Sequence, residues 1–238
     1  MKSFVRTNFK RAISFGSIYL IVGIVMSLLM SVIFSGTAAV ASATTSAEVP
    51  LLVSQLFPLM IPLFAVIGSL GGLMVFVSDR TKGVYEYLIA YGVSIYEIFW
   101  STLAVTFGLV TVVLGVSIAG NMVISLLMGG SIQLAMIEML LIYTIPISYA
   151  STAFMCIAGM IWSSLTVRVP GVNSPVGIST LLGIGPALVV FALSGFLGYS
   201  GDFVLLVGGA TLVLAALVVV MMVVANKKMN RERLLSDA

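Results

Sequence analysis

The chain has 238 residues, of which 61% are hydrophobic and 8% charged, with mean hydropathy +1.23 and a formal net charge of +3. A soluble domain carries roughly 25% charged residues, so this chain lacks the side chains to clothe a water-facing surface, and its apolar exterior must face lipid. The pI of 9.1 does not call for a nucleic-acid partner, because the basic residues are confined to a few short segments whose placement reads as membrane topology.

Those segments hold Lys2, Arg6, Lys10 and Arg11; Arg80 and Lys82; Arg168; and Lys227, Lys228, Arg231 and Arg233. Between them lie three nearly charge-free windows, residues 12–78, 98–167 and 169–226, each with one acid, Glu48, Glu138 and Asp202. Each window accommodates two spans of about 20 residues. The fold class expected is therefore an all-α integral membrane protein with six transmembrane helices in one domain, residues 1–238. The positive-inside bias puts all four basic segments, and so both termini, in the cytoplasm.

In chain order, residues 1–13 alternate basic and apolar positions and suit an amphipathic helix lying on the cytoplasmic face. Span 1 covers about 14–36. The small residues at 39–43 resemble a signal-peptidase site, but the apolar run before them exceeds the about 7–15 residues of a signal core, so it reads as an uncleaved span. A small polar outer loop, 37–50, precedes span 2 at about 51–77, which contains Pro58 and Pro62. Span 3 covers 94–128, and Gly129-Gly130-Ser131 turns the chain outside. Span 4 covers 132–162 with Pro146 inside it, and an inner loop follows at 163–176. Span 5 covers 177–199, broken by Gly183, Gly185 and Pro186. Span 6 covers 203–225, and a basic tail occupies 226–238.

The connector between spans 2 and 3 is a charged island in this apolar chain, with Asp79, Arg80, Lys82, Glu86 and Glu97 close together. Ser94-Ile95-Tyr96-Glu97 fits the capping box S-x-x-E, with Val93 and Ile98 as its hydrophobic staple, so span 3 starts at Ser94. Gly92 is a left-handed stop for a preceding helix. That helix, about 82–91, has Tyr85, Leu88, Ile89 and Gly92 at i, i+3, i+4 and i+7, which gives it one apolar face. It is too short to span and is expected to lie flat at the interface, where Tyr85, Tyr87, Tyr91 and Tyr96 are at home.

This island, 79–93 with its continuation to Ile98, resembles the loop between spans 2 and 3 of the ABC-2 type transporter permeases. Those proteins carry E-R-x-x-G-T-x-E-x-L followed by P-[VI]-S and an Ile or Leu. Here Asp79-Arg80, Gly83, Glu86, Leu88, Val93-Ser94 and Ile98 stand in matching places, with Asp79 for Glu, Val84 for Thr and Gly92 for Pro. The resemblance implies a coupling helix that docks on a separate ATP-binding subunit. It further implies a pathway formed by two permease subunits, a location in the plasma (inner) membrane, and ATP and Mg held by the partner rather than this chain. On that basis ATPase coupling is assigned to Asp79, Arg80, Lys82, Gly83, Glu86, Leu88, Gly92, Ser94 and Glu97.

The remaining chemistry is sparse. No G-x-x-x-x-G-K-[ST] is present, so ATP is not bound through a P-loop, and no histidine exists for a Ser–His dyad or an H-E-x-x-H zinc site. Cys156 stands alone in an apolar run, which implies no disulfide and no metal site. No catalytic residue is assigned. Gln55, Asn121, Gln133 and Glu138 are the strongly polar residues within spans and candidates for a pathway. Glu138 stands close enough to the outer turn to reach water instead. Glycine, serine and threonine inside the spans are expected to serve helix packing. Walls this apolar suit a hydrophobic or amphiphilic substrate. A secondary transporter and a membrane assembly protein without transport are the other classes compatible with six apolar spans, although the former usually carries midplane ionisable residues and inverted repeats.

Overall fold

A computed structural model of the protein describes residues 2–44, 48–128, 137, 140–161, 178–197 and 201–228. These residues form seven α-helices and one π-helical turn, with no strand among them. They are α1 (Lys2–Thr44), α2 (Glu48–Thr81), α3 (Val84–Ala90), α4 (Ile95–Leu127), the π turn (Leu140–Thr144), α5 (Ile145–Ile161), α6 (Ile178–Leu197) and α7 (Gly201–Lys228).

Five stretches are long and apolar enough to cross a membrane: Phe4–Thr37, Pro58–Thr81, Ile95–Leu127, Leu140–Ile161 and Val207–Ala225. The chain is thus a multi-pass membrane protein. The helix at the expected fifth span, α6, is 20 residues long, but its fully described apolar part is only Thr180–Val189. It is also not broken at Gly183, Gly185 and Pro186: α6 runs straight through them. Gly183 serves contact instead, since a Cβ there would lie 2.9 Å from Met155 Cβ and Val66 Cγ1. Its missing side chain lets α6 settle between α2 and α5.

Two other boundaries differ from expectation. No break separates residues 1–13 from the first span, because α1 is a single helix of 43 residues, about 65 Å at 1.5 Å per residue. The expected outer loop 37–50 is largely helical as well, with α1 running to Thr44 and α2 starting at Glu48. Four alanines between positions 38 and 43 explain this, alanine having the highest helix propensity. The turn at 129–131, the loop at 163–176 and the tail beyond 228 lie outside the described residues.

The centre of the bundle is α2. Lipid tails give apolar helices no hydrophobic reason to associate, so close van der Waals packing must hold them. Glycines on α1 and α2 provide it. A Cβ at Gly16 would stand 2.3 Å from Gly71 Cα, and one at Gly23 would stand 2.8 Å from the Phe64 carbonyl oxygen. On the other side of α2, a Cβ at Gly72 would stand 2.3 Å from Thr106 Oγ1 of α4. Backbone meets backbone on both flanks of this helix.

Pro58 and Pro62 both lie inside α2. Proline at 62 has no N–H to offer the carbonyl of residue 58. The Thr144 hydroxyl donates to that carbonyl instead at 2.8 Å, and the Tyr143 hydroxyl donates to the next one, Leu59, at 3.2 Å. Both donors come from the π turn, which ends just before Pro146, the second residue of α5. The widened turn and the two prolines of α2 therefore complement one another. Tyr143 and Thr144 are fully buried at the contact.

Candidate functional site: the connector between α2 and α4

The chain between α2 and α4 is shaped by its two left-handed residues, both glycines. Gly83, with φ 68°, ends α2, its N–H donating to the Arg80 carbonyl at 3.2 Å. Gly92, with φ 87°, ends α3. Its N–H donates to the Ile89 carbonyl at 3.0 Å while Val93 N–H donates to the Leu88 carbonyl at 2.9 Å. This pair of bonds is a Schellman motif, and its usual apolar clasp is present: Leu88 and Val93 pack against the same core cluster. L-residues pay roughly 1–2 kcal/mol for that backbone conformation.

Two residues later α4 begins with the expected capping box. Ser94 Oγ accepts the Glu97 N–H at 3.1 Å, and the Glu97 carboxylate accepts the Ser94 N–H at 3.3 Å. The expected helix of about 82–91 is realised as Val84–Ala90. Between the Schellman turn and the capping box only Val93 and Ser94 are neither helical nor turn. The connector is thus a short helix joined to a long one through a junction in which both helix ends are satisfied.

Tyr85 anchors α3. It is 3% exposed and stacks at a tilt on Phe76 of α2, ring centroids 5.2 Å apart. It belongs to one buried cluster with Leu73, Ile98, Leu103 and Met160, which come from α2, α4 and α5. Burial pushes the phenol well above its ordinary pKa, and the negative charge of Asp79 pushes it further the same way. A hydrogen bond with Thr102 acts in the opposite direction.

The other assigned coupling residues divide between an inner and an outer set. Asp79 faces inward, 1% exposed, and both of its carboxylate oxygens are held by Arg11 of α1. Arg80 and Leu88 are half-buried. Glu97 is exposed, but its carboxylate is engaged in the capping box. Lys82 is exposed, its ammonium 5.7 Å from the Phe15 ring centroid. Glu86 is exposed in the first turn of α3, where its negative charge suits the helix dipole. Beside it on the outer surface stand Tyr87 and Tyr91, 69% and 87% exposed. These two aromatic residues were not among the assigned coupling residues. Their spacing of i, i+4 opposite the anchored Tyr85 was the available signal. Arg11 was not singled out either, since nothing local to residues 1–13 points to a partner 68 positions away.

Of the pathway candidates, Asn121 is buried between α1 and α4, where its side-chain oxygen accepts the Ser31 hydroxyl at 2.7 Å. It tethers two helices. The side chain of Gln55, and residues Gln133 and Glu138, lie outside the described residues.

No family model, curated protein or solved structure matches this chain.

Proposed function

We propose that the chain is the transmembrane permease subunit of an ATP-driven ABC-2 type exporter. In this reading it has six spans and cytoplasmic termini in the plasma (inner) membrane. Two permease subunits enclose the pathway, separate subunits bind ATP and Mg, and the cargo is hydrophobic or amphiphilic. The observation that carries the proposal is the construction of α3. One face is locked into the bundle by Tyr85, the other presents Glu86, Tyr87 and Tyr91, and the junction to α4 is hydrogen-bonded on both sides.

Such a helix transmits force. Moving α3 without α4 would have to turn the chain at Val93, the single residue between the Schellman bonds of α3 and the capping box of α4, and pull Val93 away from the core cluster. It would also draw Tyr85 out of its pocket, at roughly 2 kcal/mol or more. Moving both helices together keeps the junction between them intact. A push on Glu86, Tyr87 and Tyr91 by an ATP-binding subunit that closes on nucleotide therefore becomes a displacement of α4 along the pathway wall. The clustering of chain ends supports the same layout. Arg11 near the start of α1 meets Asp79 near the end of α2, and residues from the first turns of α4 and the last turns of α7 belong to one core cluster.

The test is co-purification with an ABC-type ATP-binding subunit, taken from any such gene that lies beside this one. Wild type should retain that subunit through size-exclusion chromatography, and Glu86→Arg should lose it while keeping its own elution position. Retention by neither protein, or equally by both, would remove the coupling assignment.

A further inference from the structure

The contacts that seat α4 against α1 and α2 recur at intervals of one helical turn. Both α1 and α4 run away from the connector, and each carries a row of small polar side chains along one face. On α1 these are Ser27, Ser31 and Ser35, and on α4 Ser117, Asn121 and Ser125, at i, i+4 and i+8 in each helix. Ser31 donates to Asn121 at 2.7 Å, which aligns the two rows. Ser27 and Ser117 lie one turn nearer the connector, fully buried, and neither hydroxyl has a partner among the described residues. The steric anchors of α4 repeat in the same way. Thr106 sits over Gly72 of α2, where a Cβ would stand 2.3 Å from its Oγ1, and Gly68 is one turn further from the connector. Phe9 of α1 sits over Gly108 of α4, where a Cβ would stand 2.8 Å from its Cε2, and the exposed Ala104 is one turn nearer the connector.

A displacement of α4 away from the connector by one turn, about 5.4 Å, exchanges each of these anchors for an equivalent one. Thr106 passes from Gly72 to Gly68, Phe9 from Gly108 to Ala104, and Asn121 from Ser31 to Ser35, while the orphaned Ser117 hydroxyl reaches Ser31. The ring of Tyr85, now on Phe76, moves toward the space that Thr106 vacates at Gly72, one turn away. The opposite displacement is blocked, because it drives Thr106 onto the buried Phe76 and Phe9 onto Val112. Two side chains oppose the permitted move and so hold α4 where it stands. Val113 would leave Gly68 for the level of Phe64, and Leu28 would leave Gly120 for the level of Val116. We infer that α4 is a one-turn ratchet, with a second register against α1 and α2 displaced away from the connector. Close-packed interfaces switch in such discrete steps because intermediate positions set side chain against side chain. The second register needs no transport activity to exist; if α3 docks as proposed above, it is the stroke that α3 delivers to α4.

Disulfide trapping in the membrane tests it with this chain alone, so no ATP-binding subunit takes part. The sole cysteine is removed by Cys156→Ala, and Asn121→Cys is paired in turn with Ser31→Cys, Ser35→Cys and Ser27→Cys. Copper phenanthroline closes the bond irreversibly, so a minor register accumulates with time, and loss of maleimide labelling reports it. The 31–121 pair should close fastest, as the described register requires. Positions 35 and 27 stand one turn to either side of position 31, and only 35 meets position 121 in the second register. The 35–121 pair should therefore close several-fold faster than 27–121. Ala104→Phe changes an exposed position and fills the place where Phe9 would land. It should bring the 35–121 rate down to that of 27–121 and leave 31–121 unchanged. Ser31→Cys with Ser117→Cys, which spares Asn121, should show the same sensitivity to Ala104→Phe. Equal rates for 35–121 and 27–121 would mean that α4 is merely loose, and would overturn the ratchet. So would a 35–121 rate that Ala104→Phe does not lower.

Discussion

Arg11 and Asp79 form a two-pronged ion pair, Nη1 to Oδ2 at 2.8 Å and Nη2 to Oδ1 at 2.5 Å, joining the start of α1 to the end of α2. The carboxylate is buried and the guanidinium is about one-third exposed. Such a pair does more to fix position than to stabilise, because desolvation offsets much of the attraction. It lies beside the connector, and the Asp79 charge acts on the buried Tyr85 phenol.

Removing one partner leaves the other without compensation. Arg11→Met should lower the stability of the detergent-solubilised protein by roughly 3 kcal/mol, the cost of a buried carboxylate without its cation. Adding Asp79→Leu to it should return most of that loss. Thermal unfolding of both singles and the double measures the coupling; strictly additive losses would mean that the pair is not formed.

The α1–α2 contact makes a steric prediction. Gly71→Ala drives a Cβ to 2.6 Å from the Ala12 carbonyl oxygen, a backbone atom that cannot swing aside. Overpacking of this kind costs about 1–3 kcal/mol. Gly115 is exposed on α4 with nothing within 4 Å of a new Cβ. Gly115→Ala should therefore be neutral or stabilising by up to about 1 kcal/mol. Melting temperatures of the two variants should separate clearly.

Gly92 stands where the resembling family carries proline, and the geometry here forbids the exchange. Its φ is 87°, whereas proline is held near −65°, and its N–H donates to the Ile89 carbonyl. Gly92→Pro should therefore free the end of α3. Gly92→Ala should cost about 1–2 kcal/mol, and Gly92→Asn less. Hydrogen exchange over residues 84–93 should quicken in the order Asn, Ala, Pro. An unchanged exchange rate in the proline variant would show that the left-handed turn is not what ends α3.

Tyr85 gives a pH dependence with a definite sign. An unfolded tyrosine ionises near 10, while the buried phenol holds its proton well above that. The stability it contributes is thus fully present below pH 10 and is lost as pH rises from there through the folded value. Raising the pH from 9 to 11 should loosen α3 and speed tryptic cleavage at Arg80 and Lys82. Tyr85→Phe has no proton to lose and should show a weaker increase over the same range. An identical increase in both proteins would assign the alkaline opening to other groups.

Much of this architecture is legible in the residues before any coordinates. Composition demands lipid, because 8% charged residues cannot cover a soluble surface. The start of α4 and the end of α3 are equally legible. A capping box and a left-handed glycine act within five residues, and their geometry depends on little beyond their own segment. Loop boundaries were less so: the alanines of residues 38–43 carry α1 past its expected end, since propensity decides where no partner does.

Tertiary structure alone decided which charges of the connector face outward. Asp79 and Glu86 are seven residues apart and chemically alike, yet one is buried against Arg11 and the other is exposed. A local pattern cannot tell them apart, because the difference comes from a helix that passes 68 residues away in the chain. The same holds for Thr144, whose hydroxyl replaces the donor that Pro62 lacks. Hydrogen bonds and close packing between spans form only where helices cross, and in a chain so evenly apolar the pattern of greasy residues does not say where that is.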